Sequence, residues 1–198
     1  MPLGANKAAI MGVAGVSTGD VVLLSTVTIT SATAAAEFTG IDSTYGEYIF
    51  GFYNVNPATD SQTLAFQMDT DGGNDGYNDA NITNTFFRAL HYEDNSNALV
   101  AVNTGFDQAQ STAFSNLGEN VGGDADEHIS GMLHVFNPAS TTYVKHFYSR
   151  AVEQASSAGA FDFFTAGYFN TTSALNALKF KFQSGNIDAG IFKMWGVK

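Results

Sequence analysis

Cysteine is absent from the 198-residue chain, and lysine and arginine together supply only 8 residues against 19 aspartates and glutamates. The first absence excludes disulfide frameworks, cysteine-based zinc sites and thiol catalysis. The second leaves a formal net charge of −11 without a basic cluster to neutralise phosphates, so we expect no nucleic-acid partner. No run approaches the roughly 18 apolar residues of a membrane-spanning helix, so we expect no membrane insertion.

Apolar and aromatic side chains, in contrast, are abundant. Hydrophobic residues make up 44% of the chain, with 17 phenylalanines, 8 tyrosines and 1 tryptophan, which is enough for one sizeable core. An all-β sandwich of about this length is normally a single domain. We therefore expect one β-sandwich domain over residues 20–198, preceded over residues 1–19 by an arm of mostly small residues. This arm superficially resembles a signal peptide, but we interpret it as an anchor for a neighbouring protein.

Short apolar runs between turns rich in glycine, asparagine and aspartate predict strands. The segments "VVLLSTVTIT" (21–30), "LAFQMD" (64–69) and "LKFKFQ" (178–183) alternate with a period of two, as strands with one solvated face do. The segments "EYIFGFYNV", "GMLHVF" and "FDFFTAGYF" are apolar on both faces, which indicates strands covered by a second sheet or by a neighbouring subunit. Together they predict an all-β fold, an antiparallel β-sandwich of the jelly-roll kind.

Two segments carry a helical pattern instead. In "GFDQAQSTAFSNLGENV" (105–121) the apolar residues recur at spacings of three and four, and Gly118 would end the helix. In "TTSALNAL" (171–178), Thr171 or Thr172 would cap a second, shorter helix. We therefore expect one or two short helices beside the strands.

A four-residue motif, "NPAT" at 56–59, returns as "NPAS" at 137–140, each time after an aromatic run. Proline has no N–H for a β-ladder, and it forces the residue before it into extended geometry. We expect Asn56-Pro57 and Asn137-Pro138 to end strands and to form structural corners that carry the chain from one sheet towards the other. An old duplication and two unrelated corners both remain open as explanations of the repeat.

The loop "DTDGGNDGYND" (69–79) concentrates oxygen-bearing side chains of the kind that Ca²⁺ prefers. It fails the EF-hand template, since glycine replaces the third ligand and the glutamate at position twelve is missing. Aspartate and asparagine are also ordinary turn residues, so a solvated turn is the favoured alternative. Ca²⁺ is the one cofactor that the sequence suggests, with four candidate ligands: Asp69, Asp71, Asp75 and Asp79.

Catalytic motifs are not found. The chain has no GxSxG elbow, phosphate loop or dinucleotide fingerprint, and its four histidines lack zinc-ligand spacing, so we expect no enzyme and no catalytic residue. Trp195, the only tryptophan, lies in the terminal strand "IFKMWGV", where we expect a core, surface or interface aromatic. Aromatic rings at the surface keep open a second interpretation, a lectin-like, Ca²⁺-assisted module that binds a host glycan.

Four segments in a fixed order carry a resemblance: "EFTGIDSTYGEYIFGFYNVNPATD", "NTFFRALHYED", "HVFNPASTTYVKHF" and "GYFNTTSALNALKFKFQSGNIDAGIFKMWGV". From about Leu23 to the C-terminus the chain resembles a group of structural proteins of tailed bacteriophages that infect marine bacteria. Gly46 departs from the pattern, which has an acidic or larger residue there. The resemblance implies a non-enzymatic virion protein, assembled in the host bacterial cytoplasm as a capsid decoration protein or in the tail or tail fibre. It implies a homo-oligomer with other virion proteins as partners, contacted through residues 1–19.

Overall fold

The computed structural model describes residues 20–74 and 76–198, so the predicted arm over 1–19 and Asp75 lie outside the described residues. Every described element is a strand. There is accordingly no helix in these ranges that could cross a membrane. The strands are β1 (Val21–Ile29), β2 (Ala36–Thr39), β3 (Glu47–Pro57), β4 (Leu64–Asp69), β5 (Ile82–Tyr92), β6 (Ala98–Val102), β7 (Gln108–Ser111), β8 (Ser115–Asn116), β9 (Ile129–Phe136), β10 (Lys145–Ala155), β11 (Gly159–Phe169), β12 (Ala177–Phe182) and β13 (Ile187–Val197).

These strands form two antiparallel sheets that pack against each other. The large sheet has nine strands, in the order β1-β13-β3-β9-β10-β11-β5-β6 with β7 also paired to β5. The small sheet has four strands, in the order β2-β12-β4-β8. The predicted all-β antiparallel sandwich is therefore confirmed, while its jelly-roll topology stays a prediction.

Phenylalanine rings dominate the core between the two sheets. The alternation of β12 turns Leu178, Phe180 and Phe182 inward and leaves Lys179 and Lys181 outside, as the sequence predicts. Phe180 lies at the centre of the cluster, since its ring centroid is 5.3 to 6.5 Å from five other rings. Those rings belong to both sheets: Phe38, Phe50, Phe52, Phe66 and Phe192.

A second, smaller core lies under the other end of the large sheet. It contains Phe86 and Leu90 from β5 and Phe161 and Phe163 from β11. The loop after β6 covers it, because the Phe106 ring lies 5.1 Å from that of Phe86 in an edge-on arrangement. The small sheet is thus not the only cover of the large one.

The helix prediction for residues 105–121 was wrong. This segment contains β7 and β8 joined by loops. Its apolar side chains lie in separate places: Phe106 in the smaller core, Phe114 against the Tyr77 ring and Leu117 in the main core. The spacing of three and four therefore reflects separate contacts of one winding segment rather than one helix face.

The second helix prediction, over residues 171–178, was also wrong. The chain is irregular up to Asn176, and β12 begins at Ala177. The Nζ atom of the fully buried Lys145 donates hydrogen bonds to the carbonyls of Thr171 (2.9 Å) and Ser173 (2.6 Å). Because these bonds satisfy a buried ammonium group, the local structure follows Lys145 rather than the helix propensity of the segment.

In two strands the distribution of buried and exposed residues differs from the prediction. A bulge between Leu23 and Ser25 changes the register of β1, so Val21 and Leu23 are exposed while Ile29 is buried. In β4 all six residues are buried, although one solvated face was predicted. The Gln67 side chain explains this, since its Nε2 donates to the carbonyls of Ala80 (3.2 Å) and Thr112 (3.0 Å) in loops that cover the outer face of β4.

The two Asn-Pro corners lie at strand ends, since β3 ends at Pro57 and β9 ends at Phe136. At the first corner the chain leaves the large sheet for β4 in the small one, as expected. At the second corner the expected sheet crossing is wrong, because β9 and β10 are paired neighbours within the large sheet. The return alongside β9 runs through residues 137–144, and Asn137 begins it with a φ of 45°, which turns the chain out of the strand.

The two asparagines act differently despite the shared motif. The buried Asn56 side chain donates through Nδ2 to the carbonyls of Asp124 (2.9 Å) and Glu127 (2.7 Å), and more weakly to that of Gly122 (3.4 Å). Asn137 is exposed, and its backbone N–H donates to the carbonyl of Gly46 (2.7 Å). Asn56 therefore acts through its side chain, and Asn137 through its backbone conformation.

Replacement of Asn56 by alanine should lower the free energy of unfolding by about 1–3 kcal/mol, because buried carbonyls lose their donor. Urea denaturation measures this. Asn137→Gly is the matched control, since glycine adopts a positive φ readily, and we expect a change below about 0.5 kcal/mol. Equal losses in the two variants would contradict the different roles of the two corners.

Candidate functional site

The large sheet packs one face against the core, while no described residue covers its other face, which we call the open face. The registers place the same-facing residues of neighbouring strands in continuous rows across this face. Eleven large hydrophobic side chains are exposed in the described part of the chain, and all but Leu24 and Tyr143 lie on the open face. They are Val21, Leu23, Phe87, Val100, Val102, Met132, Tyr148, Val152 and Ile191.

Aromatic side chains on the open face pack against their cross-strand neighbours. His134 and Tyr148 pair across β9 and β10, and their rings stack at 4.5 Å with an interplanar angle of 8°. Phe87 and Phe164 pair across β5 and β11 and stack at 4.8 Å and 4°. Because each ring is held by its partner, these parts of the face are formed before any ligand or partner binds.

An ion pair lies near the middle of the same face. Arg150 on β10 binds both carboxylate oxygens of Asp162 on β11, through Nε at 3.0 Å and Nη2 at 2.8 Å. Its guanidinium carbon also lies 5.0 Å from the centroid of the Phe164 ring. The guanidinium is therefore held by Asp162 and lies over the Phe164 ring, and arginine is enriched at protein interfaces.

Trp195, the predicted surface or interface aromatic, lies on the open face and is half-buried. Its register partners are Leu23 on β1 and Ile49 on β3. The ring extends over Gly51, where a Cβ atom would lie 2.9 Å from it. The absence of a side chain at Gly51 therefore leaves room for the rings of Trp195 and Tyr53.

Two hollows interrupt the open face between its projecting side chains. The first, of about 380 Å³, is lined by Ala89, Ser130 and Ala160 at its apolar centre and by His91 and His128 at its sides. The second, of about 370 Å³, lies around Gly131 and Ala151. The Val152 side chain stands between the hollows and lines both of them. The face thus combines ridges of large side chains with depressions of similar size.

Charge on the open face is balanced, unlike that of the chain as a whole. The side chains in the rows of this face include Glu47 and Asp162 against Arg150 and Lys193, while the chain has a net charge of −11. Glu47 also contacts His134, with 2.6 Å between Oε1 and Nδ1. Acidic groups such as Asp126 and Asp188 lie in a polar depression at the margin. The middle of the face is therefore charge-balanced, and further acidic groups lie at its margin.

The acidic loop forms a tight turn around Asp69. The two carboxylate oxygens of this buried residue accept hydrogen bonds from the N–H groups of Thr70 (2.9 Å) and Gly73 (2.5 Å). Burial, together with hydrogen bonding to Asp79 and Asp71, raises the pKa of Asp69 to about 7. Of the candidate Ca²⁺ ligands, Asp69, Asp71 and Asp79 thus meet in one loop, and Asp75 lies outside the described residues. Across residues 20–74 and 76–198, no group of three or more acidic or histidine side chains is arranged to hold a metal ion.

A second buried carboxyl group, Glu153 on β10, lies beside the first hollow. Its oxygens accept hydrogen bonds from the N–H groups of Glu119 (3.3 Å) and Asn120 (3.2 Å). Burial raises the pKa of Glu153 to about 8, against the smaller opposing effects of the Asn120 N–H and Arg88. A carboxyl group in this environment holds the 119–120 loop to the sheet.

Comparison with known proteins adds little. No protein-family model and no curated protein matches the chain. A crystal structure of a protein of unknown function from Bacteroides ovatus is similar over 50% of this chain and 45% of its own, with 6% identity and a TM-score of 0.28. A structure of infectious bursal disease virus, Gx strain, is similar over 89% of this chain and 40% of its own, with 10% identity and a TM-score of 0.16. The chain spans less than half the length of either, and TM-scores this low carry no argument about fold or function.

Sequence reasoning identified Trp195 but missed the surface to which it belongs. The structure brings Trp195 into one face with Met132, Tyr148 and Phe164, which are distant in sequence. It leaves the second Asn-Pro corner and the acidic loop apart from this face, while Asn56 of the first corner lines the polar depression at its margin. The sequence signal for this surface was the set of strands that are apolar on both faces. The four-stranded sheet covers only one face of these strands, so the apolar residues of the other face lie at the surface.

Stability should decrease as the pH rises from about 4.5 to about 8, because the folded chain then holds a proton on Glu153 that the unfolded chain has lost. Asp69 adds to the same trend. Glu153→Gln cannot ionise, so its free energy of unfolding should fall less steeply with pH. Urea denaturation at several pH values measures the slope.

The matched control for this experiment is Glu93→Gln, which changes an exposed glutamate in the turn after β5 and should leave the slope as it is. If Glu153→Gln showed the full slope of the unchanged chain, burial of Glu153 would not be a source of the pH dependence.

Proposed function

We propose that the protein is a non-enzymatic structural component of a bacteriophage virion and that it contacts neighbouring subunits through its open face. The observation that carries the proposal is the concentration of nine of the eleven exposed large hydrophobic side chains on one sheet face. Monomeric soluble proteins rarely expose contiguous apolar patches above a few hundred Å². A face of this size with a polar rim has the composition of a protein interface.

The virion is the assembly that the sequence resemblance implies, with the capsid surface and the tail or its fibres as alternative positions. The charge distribution supports a protein made in many copies before assembly. A net charge of −11 keeps separate copies soluble, and its absence from the open face leaves that surface free to associate. Assembly would take place in the cytoplasm of the host bacterium.

A structural role also fits the way in which the buried polar groups are used. The Lys145 ammonium binds two loop carbonyls, Glu153 binds two backbone N–H groups, and Asp69 binds two more. Each of these groups secures a loop to a sheet. Strongly perturbed pKa values are often found at active sites, but here the main cause is burial of groups that are hydrogen-bonded to loop backbone.

The open face favours protein contacts over a glycan. Sugars stack on the free faces of aromatic rings, whereas the rings of His134 and Tyr148 and those of Phe87 and Phe164 stack on one another. The exposed aliphatic side chains between them, such as Val100 (77% exposed) and Val102 (62%), offer no hydrogen bonds to hydroxyl groups. We therefore place the lectin-like interpretation second.

We further propose that the acidic loop is a turn rather than a Ca²⁺ site, because the Asp69 oxygens already bind backbone N–H groups. The melting temperature should be the same in millimolar Ca²⁺ and in excess chelator. Ca²⁺ at about 100 times its Kd would instead stabilise the fold by about 2.7 kcal/mol. A rise in melting temperature that Asp71→Asn abolishes would contradict the proposal.

The virion assignment predicts that the chain is incorporated into phage particles, through residues 1–19 as well as the open face. Tagged full-length chain, supplied to infected bacteria, should purify with the particles on a density gradient. Replacing residues 1–19 by a glycine-serine linker of equal length should reduce incorporation at least tenfold without lowering the melting temperature. Unchanged incorporation would refute the anchoring role, and absence of the full-length chain from particles would refute the virion assignment.

A further inference from the structure

We infer that the open face is a homodimer interface, in which two copies of this chain pack their large sheets face to face. The inference rests on the proposed function and specifies the partner of its contact surface. Four features of the face support a second copy: its area, its charge balance, its central side chains and its shape.

The area of the open face matches that of a stable dimer contact. Eight paired strands at a spacing of about 4.8 Å make the sheet roughly 34 Å wide. Its central strands β10 and β11 have 11 residues each, which corresponds to about 35 Å at the usual rise of about 3.3 Å per residue. The face therefore measures on the order of 1,000 Å², while a stable interface buries about 800 Å² on each partner.

The charge balance favours a second copy over a partner of opposite charge. A strongly basic protein would be attracted to the acidic remainder of the chain rather than to the one face on which Glu47 and Asp162 are matched by Arg150 and Lys193. Arg150 and Asp162 already satisfy each other. When two such faces meet, this central pair is buried with its charges already matched, which avoids the penalty of an unpaired buried charge at that point.

The central side chains are those that dominate interface energies. Met132 and Arg150 are register partners on β9 and β10, and these two strands lie in the middle of the sheet. Tyr148 is the neighbour of Arg150 on the same face of β10, and Phe164 lies under the Arg150 guanidinium. Tyrosine and arginine are enriched among energetically important interface residues, and methionine among interface residues generally.

The shape of the face suits self-association, because projecting side chains and hollows occur on the same surface. Val152 (51% exposed) and Met132 (41%) project beside hollows of about 380 and 370 Å³. In a two-fold dimer each copy presents the same patch, so projections of one copy can enter the depressions of the other. The occupied depressions would be those around Ala160 and Gly131.

The test is the mass of the purified chain in solution, measured by sedimentation equilibrium over a wide concentration range. We expect a dimer for the unchanged chain. Met132→Glu and Val152→Asp place a charge in the apolar centre at positions exposed in the single chain, so both variants should fold, by circular dichroism and melting temperature. Each should raise the dimer Kd by about 100-fold or more, because each copy would bury an unpaired carboxylate.

Tyr143→Glu is the matched control, since Tyr143 is 73% exposed but lies in the β9–β10 connection outside the open face, and this variant should remain a dimer. A chain that is monomeric at every concentration would overturn the inference. So would a dimer that persists in both face variants, or one that only removal of residues 1–19 dissociates. A monomeric chain still found in particles would leave the proposed function standing, whereas a dimer absent from particles would refute that function alone.

Discussion

The structure depends on the packing of a four-stranded sheet against a nine-stranded one through the rings around Phe180. This side chain contacts aromatic residues of both sheets, including Phe50 and Phe192 of the large sheet and Phe66 of the small one. Because four strands cannot cover nine, the β5 end of the large sheet needs another cover, which Phe106 and its loop provide. The opposite face has no equivalent cover among the described residues, because in a sandwich of two sheets each sheet has only one face against the core.

Buried polar side chains then hold the loops in place. Lys145, Asn56 and Gln67 each donate hydrogen bonds to two or more loop carbonyls, and Glu153 accepts from two loop N–H groups. A buried polar group without partners costs a few kcal/mol, so each of these side chains requires the loop that satisfies it. Long connections that would otherwise be loose are thereby fixed against the sheets.

The strands follow local sequence patterns, whereas the loops depend on distant buried side chains. This difference explains how much of the fold could be predicted from the sequence. The alternation in "LKFKFQ" predicts the inward Leu178, Phe180 and Phe182 correctly, because period-two burial is a local property of a strand. The strand ends at Pro57 and Phe136 were predictable for the same reason, since proline acts on its own neighbours. The segments 105–121 and 171–178 were misjudged because their conformation depends on Phe86 and Lys145, which are distant in sequence.

The candidate site was predictable only in outline. Strands apolar on both faces indicated that something covers each face, but the choice between a second sheet and a neighbouring subunit depends on the strand order, which no local pattern encodes. The bulge between Leu23 and Ser25 shows the difficulty, because it moves Val21 and Leu23 onto the open face against the simple alternation. Trp195 was expected to be a core, surface or interface aromatic, and its neighbours Leu23 and Ile49 are brought to it by pairing across three strands, which no local pattern indicates.

The charge distribution bears on how the protein can expose an apolar sheet face. An apolar sheet face on a neutral protein would promote indiscriminate aggregation, which proteins oppose with charge placed near vulnerable surfaces. Here the net charge of −11 lies outside the rows of the open face, and acidic groups such as Asp126 and Asp188 lie at its margin. In the proposed dimer, a full face-to-face arrangement would bury the balanced middle of the face, and repulsion between the acidic margins would disfavour oblique or partial contacts. The charge distribution is therefore consistent with the single mode of association that we propose.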